Sequence, residues 1–597
     1  MDIKKILNLI LFQLPLTVLI GQSYYQLPGT RAEHISDRWY VLGYDQSRMS
    51  SIRNINRRDL MDGAQFLQDG ITSVDQKDRQ YVIQNNTEYW TKKKDGQSIV
   101  TIKDDKVFVD RSGTFYFYDK ENTGSKESLR QEKKGVLGML YNNRANFYEI
   151  NTDDFTLRAN PVLNIQYGKD GDQSIIRNTR GAEIRGTIDN KIYYYTRISD
   201  TQRNFSDYIE STINKYEYIP GHGFYKNFQS SILNNFEGYD YFDAEGYVGL
   251  DVSRNVALEL GHGKHMLGNG MRSLLLSDTG DNYFYVKLNT RIWKLQYQNI
   301  WAELNALNTR SLGGDELLSK KYTAIHYLSY QPTKSFEIGL FETVIFNREN
   351  QFEFQYLNPM IFYRVIESSI GSPDNVLLGM NANYTFGGHF QVYGQLVLDE
   401  LKLNEFKAGT GWWANKFGYQ LGLKYYNALN VDHLDLQIEY NTVRPYTYSH
   451  GRELSVFPEA STASYSHNSQ PLAHPLGANF KEVLLSAKYQ WSDKFYFQGR
   501  MMFSKYGEDG PEDNFGNNIL LVNTSRNMDF GNETAQGLQT EIMMLGFNVS
   551  YQLMYNYYLD LDVIYRKSDS ELTSKQIDTK YMSLGLRVNM GREQLDY

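Results

Sequence analysis

MMLGFNVSYQLMYNYYLDLDVIY, residues 543–565, is the stretch whose pattern decides the fold. Every second residue is apolar: Met543, Leu545, Phe547, Val549, Tyr551, Leu553, Tyr555, Tyr557, Leu559, Leu561, Val563 and Tyr565. Most residues between them are polar or small, among them Gly546, Asn548, Ser550, Gln552, Asn556, Asp560 and Asp562. Successive side chains on a strand point to opposite faces, so this period gives one apolar and one polar face. The length suits two strands of about 10 residues joined by a tight turn near Asn556, and tilted strands of that length cross a bilayer.

The same alternation runs upstream. Phe155, Leu157, Ala159, Pro161, Leu163, Ile165 and Tyr167 share one face, and Thr156, Arg158, Asn160, Asn164 and Gln166 the other. It recurs in 248–252, 434–440, 485–491, 495–503 and 582–590. Connections alternate in length. Short turns are expected at Asp189-Asn190, Arg254-Asn255, Pro332 to Lys334, Gly387-Gly388 and Ser492 to Lys494, with long polar connections near 201–240, 265–281, 348–374, 444–479 and 505–537. This reads as all-β: a transmembrane antiparallel β-barrel of about 18 strands, with short turns at one end and long external loops at the other. The count leaves a parity fault between His389 and His450, since a single bacterial chain is expected to carry an even number. A soluble propeller or sandwich also has period two, but its strands average nearer five or six residues.

Composition agrees. Tyr (48) and Phe (31) are abundant, charged residues make up 22%, and mean hydropathy is −0.54, which excludes a helical membrane protein. Barrels put alternate residues into lipid, so their mean hydropathy stays low while aromatics gather in interfacial girdles. A net charge of −8, with no basic cluster beyond Lys92 to Lys94, argues against nucleic acid as a partner. The absence of cysteine excludes disulfides, thiolate metal sites and a lipidated N-terminal cysteine.

Residues 1–23 read as a signal peptide for the general secretory route. Lys4 and Lys5 precede the apolar run Ile6 to Ile20, which Asn8, Gln13 and Pro15 interrupt, and Gly21 and Ser23 are small residues suited to a cleavage site. Residues 24–150 read as a small helical N-terminal periplasmic or plug segment. Helices are expected over Asp59–Leu67 and Ser73–Tyr89, the second with a Ser73/Gln76 capping box, and short strands within Ile99–Phe117. Residues 151–597 are then the outer-membrane barrel, in contact with outer-membrane lipid.

Few motifs offer chemistry. In Gly261-His262-Gly263-Lys264-His265 the histidines are an odd number of residues apart, so on a strand they face opposite sides, and the glycines lack the strand-to-helix context of a dinucleotide site. His450, His467 and His474 share one polar stretch that reads as an ordered surface loop rather than a metal centre. Ser449-His450 and Ser466-His467 lack a nucleophile elbow, so no catalytic residue, cofactor or metal is assigned and the chain is not read as an enzyme. Aromatic and polar residues crowd the loops instead, and sugar-binding surfaces use aromatic faces ringed by polar groups. Tyr225, Trp412, Trp413, Tyr446, Tyr448, His450 and His474 are the candidate ligand contacts.

Several loop strings occur together: NTRGAEIRG (178–186), IPGHGF (219–224), GHGK (261–264) running on to GNGMRSL (268–274), YLNP (356–359), GWWAN (411–415), RPYTYSH (444–450) and QPLAHPLGANF (470–480). In that order they resemble the capsule-assembly Wzi family, nearest the branch that includes the gliding-motility protein RemB. The resemblance implies an outer-membrane barrel of about 18 strands with a periplasmic helical element, and a surface lectin that holds exported polysaccharide. The expected function is therefore a non-enzymatic surface protein that binds or organises capsular polysaccharide, linked to attachment or gliding through motility or secretion machinery proteins. The alternative is a diffusion channel or transporter lined by Arg158, Arg185, Arg197, Lys488 and Arg500.

Overall fold

The structure, a computed structural model, describes residues 24–45, 48–65, 72–89, 98–102, 105–109, 115–118, 127–128, 145–152, 154–230, 236–306, 318–348, 351–360, 362–371, 374–451 and 463–596. The expected signal peptide lies outside the described residues. The wall begins with β1 (Phe155–Asp170), β2 (Gln173–Ile188), β3 (Ile192–Arg203), β4 (Phe236–Ser253), β5 (Val256–Gly263) and β6 (Tyr283–Ile292). It continues through β7 (Leu295–Asn305), β8 (Lys320–Thr333), β9 (Phe336–Phe346), β10 (Asn375–Phe386), β11 (Phe390–Glu400) and β12 (Lys416–Tyr425). The last six are β13 (Leu434–Val443), β14 (Phe480–Gln490), β15 (Phe495–Glu508), β16 (Leu538–Met554), β17 (Tyr557–Ser570) and β18 (Asp578–Val588). Each pairs antiparallel with the next, and β18 pairs with β1 from Tyr581↔Asp170 to Val588↔Leu163, closing an 18-stranded barrel.

The decisive hairpin is β16–β17. Its turn is Tyr555-Asn556, with Asn556 in the left-handed region (φ 65°), a conformation that Asn tolerates better than most residues. Its strands run 17 and 14 residues, longer than the expected ten. The surplus lies at the long-loop end, where the outward positions become Gln539, Glu541, Lys567 and Asp569, all exposed. The apolar outward set on β16, Met543 to Leu553, has the length of a membrane crossing. The parity fault resolves in the same stretch of chain that carried it. β12 joins β13 through residues 426–433, which include a 3-10 turn at Ala428–Asn430 instead of a two-residue hairpin.

The lumen is filled. From the short-turn end enter α1 (Arg31–Val41), α2 (Arg57–Gln65) and α3 (Ser73–Asn85), with a 3-10 turn at Thr87–Tyr89. α1 was not expected, although Ala32, Ile35 and Trp39 mark one helical face and are among its buried residues. The capping box of α3 is Thr72 with Asp75, one residue upstream of the expected pair: the Thr72 hydroxyl accepts the Asp75 N–H and the Asp75 carboxylate accepts the Thr72 N–H. Tyr81 donates to the Asn556 side chain at 2.6 Å, seating α3 against the β16–β17 turn. Short strands do occur at Ser98–Ile102, Asp105–Val109, Phe115–Tyr118 and Glu127–Ser128, as a separate antiparallel sheet.

Glu337 at the start of β9 shows how the plug is held. It is fully buried and accepts from the Ser50 N–H at 2.8 Å, the Ser50 hydroxyl at 2.9 Å, the Ser51 N–H at 3.3 Å, the Ser51 hydroxyl and the Ser329 hydroxyl at 2.7 Å. Two long connections also turn inward. Gly268 N–H donates to Ser51 O at 2.6 Å, and the Tyr448 hydroxyl donates to Leu274 O at 2.8 Å. After β18 the chain re-enters the lumen: Glu593 meets Arg177 and Arg203, and Asp596 meets Arg272 and Arg500.

Replacing Glu337 by Leu strands several buried donors at a cost of about 3 kcal/mol, which raises the undocked population on the order of 100-fold. Limited proteolysis within residues 24–65 should accelerate accordingly in E337L; an unchanged rate would mean that this carboxylate does not hold the plug.

Candidate functional site

At the long-loop end the connections sort into two kinds. Residues 264–282, 444–451 and 463–479 fold into the barrel mouth, while the connections at 401–415 and 509–537 meet on its rim. The 444–479 connection was expected to be a surface loop, and the structure corrects this. Tyr446 is buried, donates from its hydroxyl to Asn514 O at 2.8 Å and stands edge-on to Trp413. Tyr448 has no exposure, donates the inward anchoring bond to Leu274 O and donates its N–H to the Asp399 carboxylate at 2.8 Å. His474 is fully buried, 2.8 Å from Glu482 and stacked on Phe480 at 4.2 Å. Tyr225 is also buried, packed edge-on against Tyr239 at 5.2 Å. These four are packing residues, because a ring or imidazole without exposure presents no face to a polymer outside the barrel. His450 is half-buried.

The three histidines are not brought to one point. The Asn305 N–H donates to His467 Nδ1 at 3.0 Å and His467 Nε2 donates to Asn282 O at 2.9 Å, while His474 is held by Glu482. With both ring nitrogens so used, His467 cannot serve Ser466 as a base, and the Ser449 hydroxyl donates to Leu521 O at 2.5 Å. Among the described residues, one grouping could offer three donors to a metal ion, Asp75, Asp78 and His433, all within 4.8 Å. Asp78 is engaged by Arg31 and by Gln490 at 3.0 Å, and Asp75 closes the α3 cap, so these carboxylates already serve the plug.

Trp412 and Trp413 occupy a different setting. They follow the short helix α6 (Leu403–Ala408); the two helices before it in the chain are α4 (Asp207–Tyr216) and α5 (Tyr363–Ile370). Two backbone bonds of 2.9 Å, Gly531 N–H to Thr410 O and Asn532 N–H to Gly411 O, stitch this connection to the 509–537 loop. Gly411 is required there: its φ is +65° and a Cβ would lie 2.7 Å from Asn532 N. The stitch sets the Trp412 ring against Phe530, centroids 4.9 Å apart, and against Trp413 at 6.0 Å. The Lys402 ammonium lies 5.0 Å from the Trp412 ring and the Arg526 guanidinium 4.1 Å from the Trp413 ring, and Arg526 pairs with Asp529 at 2.6 Å. Phe530 is 51% exposed and both tryptophans are half-buried. The result is an aromatic platform rimmed by cations and a carboxylate. Phe530 was missed in sequence because it lies more than a hundred residues from its partner ring.

The model of the capsule assembly protein Wzi matches residues 193–580, well over half the chain. The chain belongs to the Wzi capsule-assembly family. Wzi of Escherichia coli, described as an outer-membrane protein involved in group 1 capsule assembly and a carbohydrate-binding β-barrel, superposes with a TM-score of 0.54 at 12% identity, over 96% of this chain and 100% of that one. At that identity the likeness is one of fold. OprD of Pseudomonas aeruginosa gives 0.40 at 10% identity over 73% of this chain and 94% of that one. No curated protein sequence matches. This Wzi-family chain is thus an outer-membrane β-barrel, as the alternation required.

Charge in the mouth of this Wzi-family barrel follows from burial. Although burial pushes the Glu593 carboxyl up, the guanidiniums of Arg177 and Arg203 beside it, with His222, hold it well below the ordinary range. Burial pushes the His467 ring down to about 4. The folded ring therefore stays neutral while the unfolded chain takes up a proton near its ordinary value of about 6.5. Its depressed folded value makes acidification destabilising: stability is intact above that pH and falls by about 3 kcal/mol on the way down to the folded value. In detergent, His467→Gln should lose less melting temperature than the parent between neutral and acid pH. Parallel losses would show that this ring is not responsible.

Proposed function

We propose that this protein is a non-enzymatic outer-membrane surface protein that binds extracellular or capsular polysaccharide through the Trp412–Phe530 platform, with Trp413, Lys402 and Arg526 around it. The observation that carries the reading is the platform itself: two stitched loops hold aromatic faces at the rim with charged groups at hydrogen-bonding height. Apolar faces of sugar rings stack on such surfaces, and a polymer repeating the contact along its length gains avidity from weak single sites. The carbohydrate binding described for Escherichia coli Wzi supports the same reading.

The filled lumen weighs against a diffusion channel. Arg158 lies 3.3 Å from Glu88 of the plug, Arg185 is 2.9 Å from Glu183, Arg197 is 3.3 Å from Glu245, and Arg500 pairs with Asp596 of the C-terminal stretch. Lys488 borders an internal cavity of about 400 Å³ lined also by Asp37, Arg53 and Arg592. Arg158 and Arg500 are thus spent on the plug and the tail, and Arg185 and Arg197 on carboxylates of the wall. A role in attachment or gliding, with motility or secretion machinery as protein partners, is the finer form of the proposal; it rests only on the resemblance of the loop strings to the branch that includes RemB.

Replacing Trp412 and Phe530 together by Ala should reduce retention of the native host's surface polysaccharide by about tenfold or more, given ~1 kcal/mol per lost stacking face and its repetition along the polymer. Glycan retention on purified protein reads this out, with an unchanged melting temperature as the control. Undiminished retention in the double variant would remove the platform from the proposal.

A further inference from the structure

The connection between β9 and β10 was expected to be a long polar external loop. Its sequence is not polar: FEFQYLNPM (352–360) and FYRVIESSI (362–370) carry an apolar or aromatic residue at most positions. Nor does it stand above the barrel. On β7, β8 and β9 the even-or-odd alternation puts Ile300, Ile325 and Phe341 in the lumen core, so Asn299, His326 and Glu342 next to them face outward. They form one cross-strand row, Asn299↔His326↔Glu342, which continues outward-facing into Leu288 on β6 and Leu378 on β10. Three polar residues thus interrupt a row whose neighbours are leucines.

They are nevertheless more than nine-tenths buried, because residues 352–360 and 362–370 cover them from outside. Trp301 on the outer wall donates from its indole to Tyr356 O at 2.9 Å, and Tyr297 donates to Pro359 O at 2.5 Å. The Tyr363 ring stacks on His326, centroids 4.0 Å apart and 27° between planes. The Glu342 carboxylate accepts the Arg364 N–H at 3.2 Å, in the first turn of α5, where an anion meets the positive end of the helix. At the base of the segment Arg348 and Tyr356 both bond Asp374, at 2.6 and 2.8 Å. The far side of the same segment is left open: Met360 is 79% exposed, Phe354 77%, Phe362 67% and Val365 59%.

We propose that residues 352–360 and 362–370 form a membrane strap, folded down the outer wall with Phe354, Leu357, Met360, Phe362 and Val365 bedded among the acyl chains of the outer leaflet. Two halves of the argument need each other. An outward polar row in an apolar belt is tolerable only where protein covers it, and the strap is that cover. An apolar surface of this size on the cover is tolerable only where lipid continues past it, and the exposed Leu340 and Leu378 of the wall lie directly alongside. Arg364, the exposed cation of α5, turns along the helix to pair with Glu367 at 2.8 Å, in the manner of a side chain reaching for the headgroup level.

The chain contains no cysteine, so single Cys variants carry a unique spin label. Labels at Met360→Cys and Phe362→Cys, in full-length protein refolded into phospholipid vesicles, should collide with oxygen and with an aqueous nickel chelate in the same proportion as a label at Leu340→Cys on the bare wall. A label at Glu512→Cys, exposed on the 509–537 loop, gives the aqueous reference. Oxygen-to-nickel ratios about tenfold above that reference support the strap, since both belt sites then share the hydrocarbon. Ratios equal to the Glu512 reference overturn it in favour of a solvent loop. Exclusion of both reagents overturns it in favour of a covering protein or second copy. The heat-dependent mobility of each variant confirms a folded barrel before labels are compared.

Discussion

A closed barrel in lipid must face its apolar residues outward, and most polar residues of the alternation are thereby sent into a confined interior. Among the described residues, the fully buried glutamates of the wall include Glu259, Glu337, Glu439 and Glu482. Each lone carboxylate there would be costly without partners, and each is satisfied by something that fills the lumen. Glu259 takes Tyr25 of the plug at 2.8 Å and Lys287 at 2.7 Å. Glu337 takes Ser50 and Ser51, and Glu439 takes the N–H groups of Met271 and Arg272 from an inward loop at 2.6 and 3.1 Å. Glu482 takes His474 from the other inward loop. Plug, loops and wall are one hydrogen-bonded assembly, with the aromatic and leucine core between them.

Filling the lumen moves function to the ends and the outer surface. Loops recruited as anchors bury their aromatic rings, which is why Tyr446, Tyr448 and His474 cannot meet a polymer. Loops left over at the rim are free to display theirs, and the stitched pair carrying Trp412 and Phe530 does so. A third use appears on the outer wall, where a connection is spent covering a polar row. The same type of loop sequence, rich in Tyr, Phe and Trp, thus serves three surfaces according to where its flanking strands end.

Much of this was legible in the chain. Period two, turn residues such as Asp189-Asn190 and the long–short rhythm of connections led to an all-β barrel of the observed strand number, and the loop strings led to the family. Where the reading slipped, the missing information was geometric. A capping box is recognised by a spacing that both Thr72/Asp75 and Ser73/Gln76 satisfy, and only the direction of the Thr72 side chain selects between them. The β12–β13 connection carries no dipeptide turn signal, so strand parity failed there. The 348–374 connection, expected to be polar, carries Phe352, Phe354, Tyr356, Phe362, Tyr363 and Ile366, a content that points to packing.

Alone, the sequence determined which face meets lipid on the strands that alternate cleanly, because alternation is a local property of neighbouring residues. Met543–Tyr565 suffices for that. It could not determine whether the polar face would line water or a plug, since the contacts that settle this join residues far apart: Ser50 with Glu337 is a separation of 287 positions, and Tyr25 with Glu259 one of 234. Nor could it pair Trp412 with Phe530, or show that His326 and Glu342 face outward beneath a strap. Those outcomes depend on barrel closure, which fixes the distance and direction between strands that the chain itself leaves far apart.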